Sequence, residues 1–409
     1  MTKKYHKYNL CGDIKILRGE ELDTIEKTAQ FIMGTYKRLD VVFEKGEGLY
    51  LFDTYGNKYL DFLAGIAVNI LGYSHPVIVK SIKEQADKLI HISNLYHIKE
   101  QADLAEFLIN KSVLDKAFFC NSGAEANEAA IKIARLYGKG ERYKIIAMEN
   151  SFHGRTMATL SATGQKKYHK GFEPMLEGFD FAKFNDFDDF KSKVDDSVCA
   201  VMLELVQGEG GINLASRQYI RDLYSYCKEN DILLMIDEVQ TGMCRSGKLF
   251  AYEYYGIEPD VVTLSKALGG GVPIGALLAK NKVADYFKPS THGSTFGGNP
   301  FVSSVSLSVL EFVTEENFLA HIEDMGNYFL DGLKNIAKDK KQIESVGGIG
   351  LILGIHFKNP KDADSLVQKA FKRKILIGKA GDSSVRFEPP LIVEKHHIDE
   401  VLNFLKEVL

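Results

Sequence analysis

The alternation of apolar and polar residues divides this chain into stretches with different periods. Residues 21–33 predict a helix behind a polar arm, residues 1–20. From Val41 to Phe62 apolar and polar positions alternate around two turn signals, Gly46-Glu47-Gly48 and Tyr55-Gly56-Asn57, which predicts a small antiparallel meander. From Ser74 the period lengthens: Pro76 suits a first helical turn, and Ile78, Ile82, Ala86 and Leu89 fall on one helical face. A second helix is expected over 99–110. Strand 116–120, helix 124–137 closed by Gly138, strands 144–148 and 198–203, and helix 217–229 follow. The wholly apolar run 232–236, and after it the stretch 260–264, read as fully buried parallel strands.

Strands alternating with helices predict an α/β fold whose mostly parallel central sheet is flanked by helices and joined by right-handed crossovers. Beyond Asn299-Pro300 the pattern turns helical, then gives strands near 350–357 and 375–377 and an amphipathic helix over 398–409, the grammar of a smaller α+β domain. The expected organisation is a large domain over 76–298 and a small one over 299–409. The arm and meander of residues 1–75 would pack with the small domain and make it discontinuous.

Composition narrows the function classes. The chain has 409 residues and is 45% hydrophobic, as a soluble globule is. Its 51 basic and 55 acidic residues leave a net charge of −4, too balanced for a nucleic-acid binder. Five scattered cysteines without a CxxC pair fit reduced thiols in a cytosol. The N-terminus lacks the apolar core of a signal peptide and no run approaches membrane-spanning length, so the expectation is a soluble, cytoplasmic protein. Eleven histidines show no HExxH or comparable ligand spacing, which argues against a metal site.

Candidate chemistry concentrates between Ile232 and Gly271. One buried run ends on Asp237 and the next hands over to Ser265 and Lys266, with Gly269, Gly270 and Gly271 beyond. Ligands of open α/β sheets bind at that carboxyl edge. An amine and a carboxylate facing one dry crevice suit pyridoxal phosphate, whose aldehyde takes the lysine as a Schiff base and whose ring nitrogen pairs with an acid. A surface lysine after a strand and an acidic helix cap would leave the same two residues in a sequence.

Other stretches fall at the same edge. Ser122, Gly123 and Ala124 place a hydroxyl and free N–H groups at a helix N-terminus, a cradle for an anion or simply a capped helix. Phe152 and Arg155 follow a strand, the first able to stack on a flat ring and the second to bind a carboxylate bidentately. Glu204, Gln207 and Glu209 crowd another strand end. Arg386 lies in an apolar stretch where an unpaired guanidinium would be costly, so an internal acid or an acidic substrate should meet it.

Taken in order, NSGAEANEAA, SFHGR, VQGEGG, IDEVQTG, LSKALGGG and STFGGNP resemble the motif series of the class III pyridoxal-phosphate aminotransferases, and most closely the acetylornithine aminotransferase branch. The resemblance runs from about Thr35 to the C-terminus. It implies PLP fold type I. By position, Lys266 would be the Schiff-base lysine, Asp237 the partner of the pyridinium nitrogen, Phe152 the stacking aromatic and Gln240 a contact to the ring hydroxyl. Ser122, Gly123 and Ala124 would hold the phosphate, joined by Thr295 from the neighbouring subunit of a homodimer with shared active sites. Arg386 would bind the α-carboxylate of glutamate or 2-oxoglutarate, Glu209 would pair with it when the other substrate is bound, and Tyr36 and Arg155 would hold the far carboxylate. The chain departs from the pattern at Leu205, where proline is usual, and at Cys244, often glycine. The implied reaction is ping-pong transfer of the terminal amine of N2-acetylornithine to 2-oxoglutarate. Other ω-amino donors (ornithine, 4-aminobutyrate, succinyl-diaminopimelate) remain open, and an aminomutase would leave the paired arginines Arg155 and Arg386 without purpose.

Overall fold

Complete burial decides which apolar runs become central strands. The computed structural model describes residues 19–409. The predicted polar arm, with Cys11, lies outside them except for its last two positions, which begin the helix Gly19–Phe31. The meander forms as predicted from β1 (Phe43–Glu47), β2 (Tyr50–Asp53) and β3 (Lys58–Asp61), antiparallel in sequence. Asp53 holds the second turn, accepting from the backbone N–H groups of Tyr55 and Asn57.

The main sheet uses β4 (Lys116–Cys120), β5 (Lys144–Met148), β6 (Phe179–Ala182) and β7 (Val198–Glu204). A short hairpin, β8 (Val206–Gln207) and β9 (Asn213–Leu214), precedes its remaining strands, β10 (Leu233–Asp237), β11 (Val261–Leu264) and β12 (Gly275–Ala279). The order is β4-β12-β11-β10-β7-β5-β6, with β12 antiparallel to both neighbours and the others parallel in direction. Every residue of β7, β10, β11 and β12 is buried, because helices cover both faces. Against β11 and β12 lies the helix Gly123–Tyr137, whose buried face is mainly alanine (Ala126, Ala129, Ala130, Ala134), so its backbone sits close to the sheet.

A second sheet, ordered β13-β14-β17-β16, is built from β13 (Ile343–Ile349), β14 (Ile352–Phe357), β16 (Gly378–Ala380) and β17 (Ser384–Phe387). Between them β15 (Ile375–Leu376) pairs in parallel with β3, tying the meander to the C-terminal chain. The helices Glu316–Ala337, Pro360–Lys372 and Lys395–Val408 cover this region.

Several expectations need correction. The helix begun by Pro76 ends at Ala86, and Leu89, expected on its apolar face, is 44% exposed. The strand expected near 350–357 forms as β14, but it is one arm of a hairpin whose other arm, β13, was not expected; the hairpin turns at Gly350, where φ is +55°. β6, β12, β16 and β17 were not foreseen; each has only three to five residues. Among the described residues no helix is long and apolar enough to cross a membrane.

Candidate active site

Three parallel strands end level with one another and bring their last polar residues together. Asp237 is the register partner of Glu204 on one side and of Thr263 on the other. The Asp237 carboxylate is buried and held by three neighbouring groups. Its Oδ2 accepts from Asn127 Nδ2 at 2.8 Å and lies 2.7 Å from His153 Nδ1, while Oδ1 accepts from the Val239 N–H at 3.0 Å. A carboxylate only accepts, so His153 carries its proton on Nδ1. Thr263 Oγ1 donates to Asn127 Oδ1 at 2.7 Å and fixes the amide that faces Asp237.

Lys266 follows one residue beyond β11, with φ at +37°. That left-handed conformation strains a residue with a Cβ, and such strain gathers at functional sites. Ser265 anchors the turn by donating from Oγ to the Ile274 carbonyl at 2.7 Å. Burial pulls the Lys266 amine below its ordinary range, against the opposing pull of Glu388 and Glu209. A larger fraction of the free amine therefore exists near neutral pH. Glu204 moves the other way: burial and the neighbouring Asp237 charge push its carboxyl well above the usual range. Its Oε2 accepts from the Phe152 N–H at 3.0 Å and so positions that loop.

These groups line one cavity of about 270 Å³, with Gly123, Ala124, Asn127, Phe152, Arg155, Glu204, Glu209, Asp237, Gln240 and Lys266 in its wall. Gly123 and Ala124 open the helix Gly123–Tyr137, and the Ser122 hydroxyl caps it by accepting from the Glu125 N–H at 3.2 Å. The helix thus aims N–H groups and its positive dipole end at the cavity. The Gln240 amide is buried with neither its oxygen nor its nitrogen partnered. It is pressed on Gly208, where a Cβ would fall 1.4 Å from Gln240 Oε1.

Arg386 enters through its neighbour. It is 4% exposed, and Nη1 donates to Glu209 Oε1 at 2.5 Å while Nε lies 3.6 Å from Oε2 of the fully buried Glu388. Burial alone would lower its pKa, but Glu388 and Glu209 outweigh burial and raise it. Of the two partners expected for Arg386, an internal acid or an acidic substrate, the structure supplies the internal acid, and supplies it twice. Arg155 lies with its guanidinium on the Tyr168 ring. Of the predicted site residues, Ser122 and Arg386 lie just behind the cavity wall, next to Gly123 and Glu209, whereas Tyr36 and Thr295 stand apart from it: Tyr36 is 74% exposed near the start of the described chain, and Thr295 is exposed on the loop before the helix Pro300–Val313.

A family model described as aminotransferase class-III matches residues 32–409. The chain belongs to the class-III aminotransferases. Over 390 residues it is 50% identical to the acetylornithine aminotransferase of Caldanaerobacter subterraneus subsp. tengcongensis, covering 94% of this chain and 98% of that one. The solved acetylornithine aminotransferase of Elizabethkingia anophelis superposes with a TM-score of 0.83 at 31% identity, over 95% of this chain and 98% of that one. An ornithine aminotransferase of Toxoplasma gondii, with partial occupancy of PLP at its active site, gives 0.90 at 30% identity over 95% and 94%.

Class-III aminotransferases use pyridoxal phosphate, and the cavity of this aminotransferase fits that group. The unpartnered Gln240 amide, the buried Asp237 carboxylate, the helix N-terminus and the lowered amine of Lys266 all face one space. Sequence reading passed over Asn127, His153, Thr263, Tyr168 and Glu388. Asn127 had a usable signal, being one helical turn beyond Gly123 on the same face. His153 and Thr263 had none, because only the fold brings them to Asp237.

Proposed function

We propose that this protein transfers the terminal amine of N2-acetylornithine to 2-oxoglutarate, giving N-acetylglutamate semialdehyde and glutamate, a step of arginine biosynthesis in the cytoplasm. The observation that carries it is the Arg386–Glu209 pair beside Lys266. A carboxylate binder with its own removable counter-ion lets one site accept two different substrates. The donor rests on the names of the relatives, acetylornithine aminotransferases at 43–50% identity.

Bound pyridoxal phosphate would supply the electron sink that makes the hydrogen on the amine-bearing carbon acidic. Asp237, held by His153 and Asn127, would keep the proton on the pyridine nitrogen. Phe152 would pack on the ring face and Gln240 would meet the ring hydroxyl. Ser122, Gly123 and Ala124 would hold the phosphate, with Thr295 of the partner subunit. Lys266 Nζ would take the proton from the donor's terminal amine-bearing carbon and return one later, as base and then acid. Glu209 neutralises Arg386 while the donor is bound. When 2-oxoglutarate enters, its α-carboxylate would displace Glu209 and take Arg386, and Arg155 and Tyr36 would take the far carboxylate. The homodimer is inferred from exposed apolar side chains around the Thr295 loop, namely Ile90, Leu95, Tyr96 and Phe296. In the same reading, residues 19–75 and 299–409 form the smaller unit and 76–298 the larger one, the rest of the expected 1–75 segment lying outside the described residues.

The likeness to a solved ornithine aminotransferase favours ornithine as the second donor to test. Glutamate production from 2-oxoglutarate should be fastest with N-acetylornithine among N-acetylornithine, ornithine, 4-aminobutyrate and succinyl-diaminopimelate. A higher kcat/KM for ornithine would move the protein to that specificity. Lys266→Ala should still retain cofactor through gel filtration but turn over at least about a thousandfold more slowly, since it lacks the proton-moving amine. A variant working at the wild-type rate would remove Lys266 from the chemistry.

A further inference from the structure

Arg155 is exposed and long, yet its guanidinium carbon sits over an aromatic ring. That carbon is 3.9 Å from the centroid of the Tyr168 ring and 5.4 Å from that of Phe152. The two rings meet edge to face at 5.9 Å and 80°, so Tyr168 and Phe152 form a single aromatic corner under the arginine. Tyr168 closes a tight turn, Lys166–Tyr168, whose base is well anchored. Gln165, buried, donates from Nε2 to the carbonyls of Asn150 and Ser151, each at 3.2 Å, and the Tyr168 N–H donates to the Gln165 carbonyl at 3.0 Å. Within the turn, Lys167 pairs at 3.1 Å with Asp382, on the loop leading into β17 and Arg386. Tyr168 also lies on the same side of the site as Arg386.

We propose that Tyr168 is a positioning residue for the acceptor: its ring holds Arg155 aimed along the cavity at a fixed distance from Arg386, and so selects a keto acid with a second carboxylate. This rests on the acceptor reading given above. An arginine stacked on an aromatic face retains its in-plane donors for a carboxylate while losing its other rotamers. Removing the ring returns those rotamers and weakens a bidentate contact, with no change at Lys266 or Asp237. Phe152 does not replace it, being farther from the guanidinium.

The test compares 2-oxoglutarate with pyruvate, which lacks the far carboxylate, in the cofactor-loaded wild type, Tyr168→Leu and Tyr168→Phe. Tyr168→Leu should raise KM for 2-oxoglutarate about two- to thirtyfold, the range a cation–π contact spans from exposed to desolvated sites. Its kcat should stay within about threefold and its kcat/KM for pyruvate within about twofold of wild type, because neither depends on Arg155. Tyr168→Phe, which keeps the ring, should retain the wild-type preference. Equilibrium binding of glutarate, a dicarboxylate that cannot react, gives the same comparison without turnover, and thermal unfolding reports whether the leucine variant is folded. Wild type preferring 2-oxoglutarate while Tyr168→Leu keeps that preference would overturn the Tyr168 inference alone. The same follows if the variant loses both acceptors equally, or if Tyr168→Phe loses the preference as leucine does. Wild type without any preference would overturn the acceptor reading and this inference together.

Discussion

Asp237 shows what a residue gains from the fold that its sequence position does not display. Its place at the end of a buried apolar run was legible, and so was that of Lys266 one strand later. The reason Asp237 can sit buried is its set of donors, Asn127, His153 and the Val239 N–H, two of which come from distant segments. Removing a donor from a buried carboxylate costs about 1–3 kcal/mol. His153→Phe should therefore lower unfolding stability by about that amount and weaken cofactor retention in an equilibrium titration; unchanged values in both would show that His153 is a spectator. Glu238, next to Asp237, gives a pH signature. Burial raises its pKa from 4.5 to about 8 although it accepts from the N–H groups of Ala251 and Tyr252. A carboxyl whose folded pKa lies above its unfolded one binds the proton more tightly when folded. Its contribution to stability is full below pH 4.5 and is lost by about pH 8. Wild-type stability measured by denaturant unfolding should fall relative to Glu238→Gln across that window, and parallel curves for the two proteins would contradict the shift.

At the scale of elements, the helix Gly123–Tyr137 and the loop carrying Gln240 do most to shape the cavity. Ser122→Ala removes a helix cap, worth about 1 kcal/mol of stability, and should also weaken cofactor binding, since the same hydroxyl stands at the anion end. Gly208→Ala would put a methyl 1.4 Å from Gln240 Oε1, so Gln240 must leave its place. That variant should bind cofactor at least about tenfold more weakly by equilibrium titration while keeping near-wild-type stability, the displaced amide being unpartnered already. The long periodic helix Arg217–Glu229 and the apolar strand β5 fall where their patterns put them. β13 was missed beside β14 because Gly347 and Gly348 interrupt the alternation that marks a strand. Gly348 has no room for more, since a Cβ there would lie 2.2 Å from the Ile352 carbonyl oxygen. Cys244, the departure from the family's glycine, adopts φ +69°, the backbone region that favours glycine.

The whole molecule is where sequence periodicity says least, because no period marks which surfaces meet. β15 joins β3 across more than three hundred residues of chain, and the expectation that the meander packs near the C-terminal chain came only from the absence of a linker. Tyr36 and Thr295 lie exposed outside the cavity, as side chains completed by a second copy would. The bordering apolar residues include Leu95 at 87% exposure and Phe296 at 58%. A charge placed there should oppose association. Leu95→Asp is expected to shift the protein toward monomer in light scattering and to lower activity in parallel, whereas a fully active monomer would remove the shared site.

The central claim is that one site, built on Lys266, Asp237 and the Arg386–Glu209 pair, carries nitrogen between two substrates in separate halves. The most direct measurement adds N-acetylornithine, without any keto acid, to the cofactor-loaded protein and follows the visible absorbance of the bound cofactor. The account predicts loss of the band with release of one aldehyde product per site, then its return on adding 2-oxoglutarate as an equal amount of glutamate forms. A band that N-acetylornithine leaves unchanged would contradict the proposed donor, and one that 2-oxoglutarate fails to restore would contradict the two-substrate site itself.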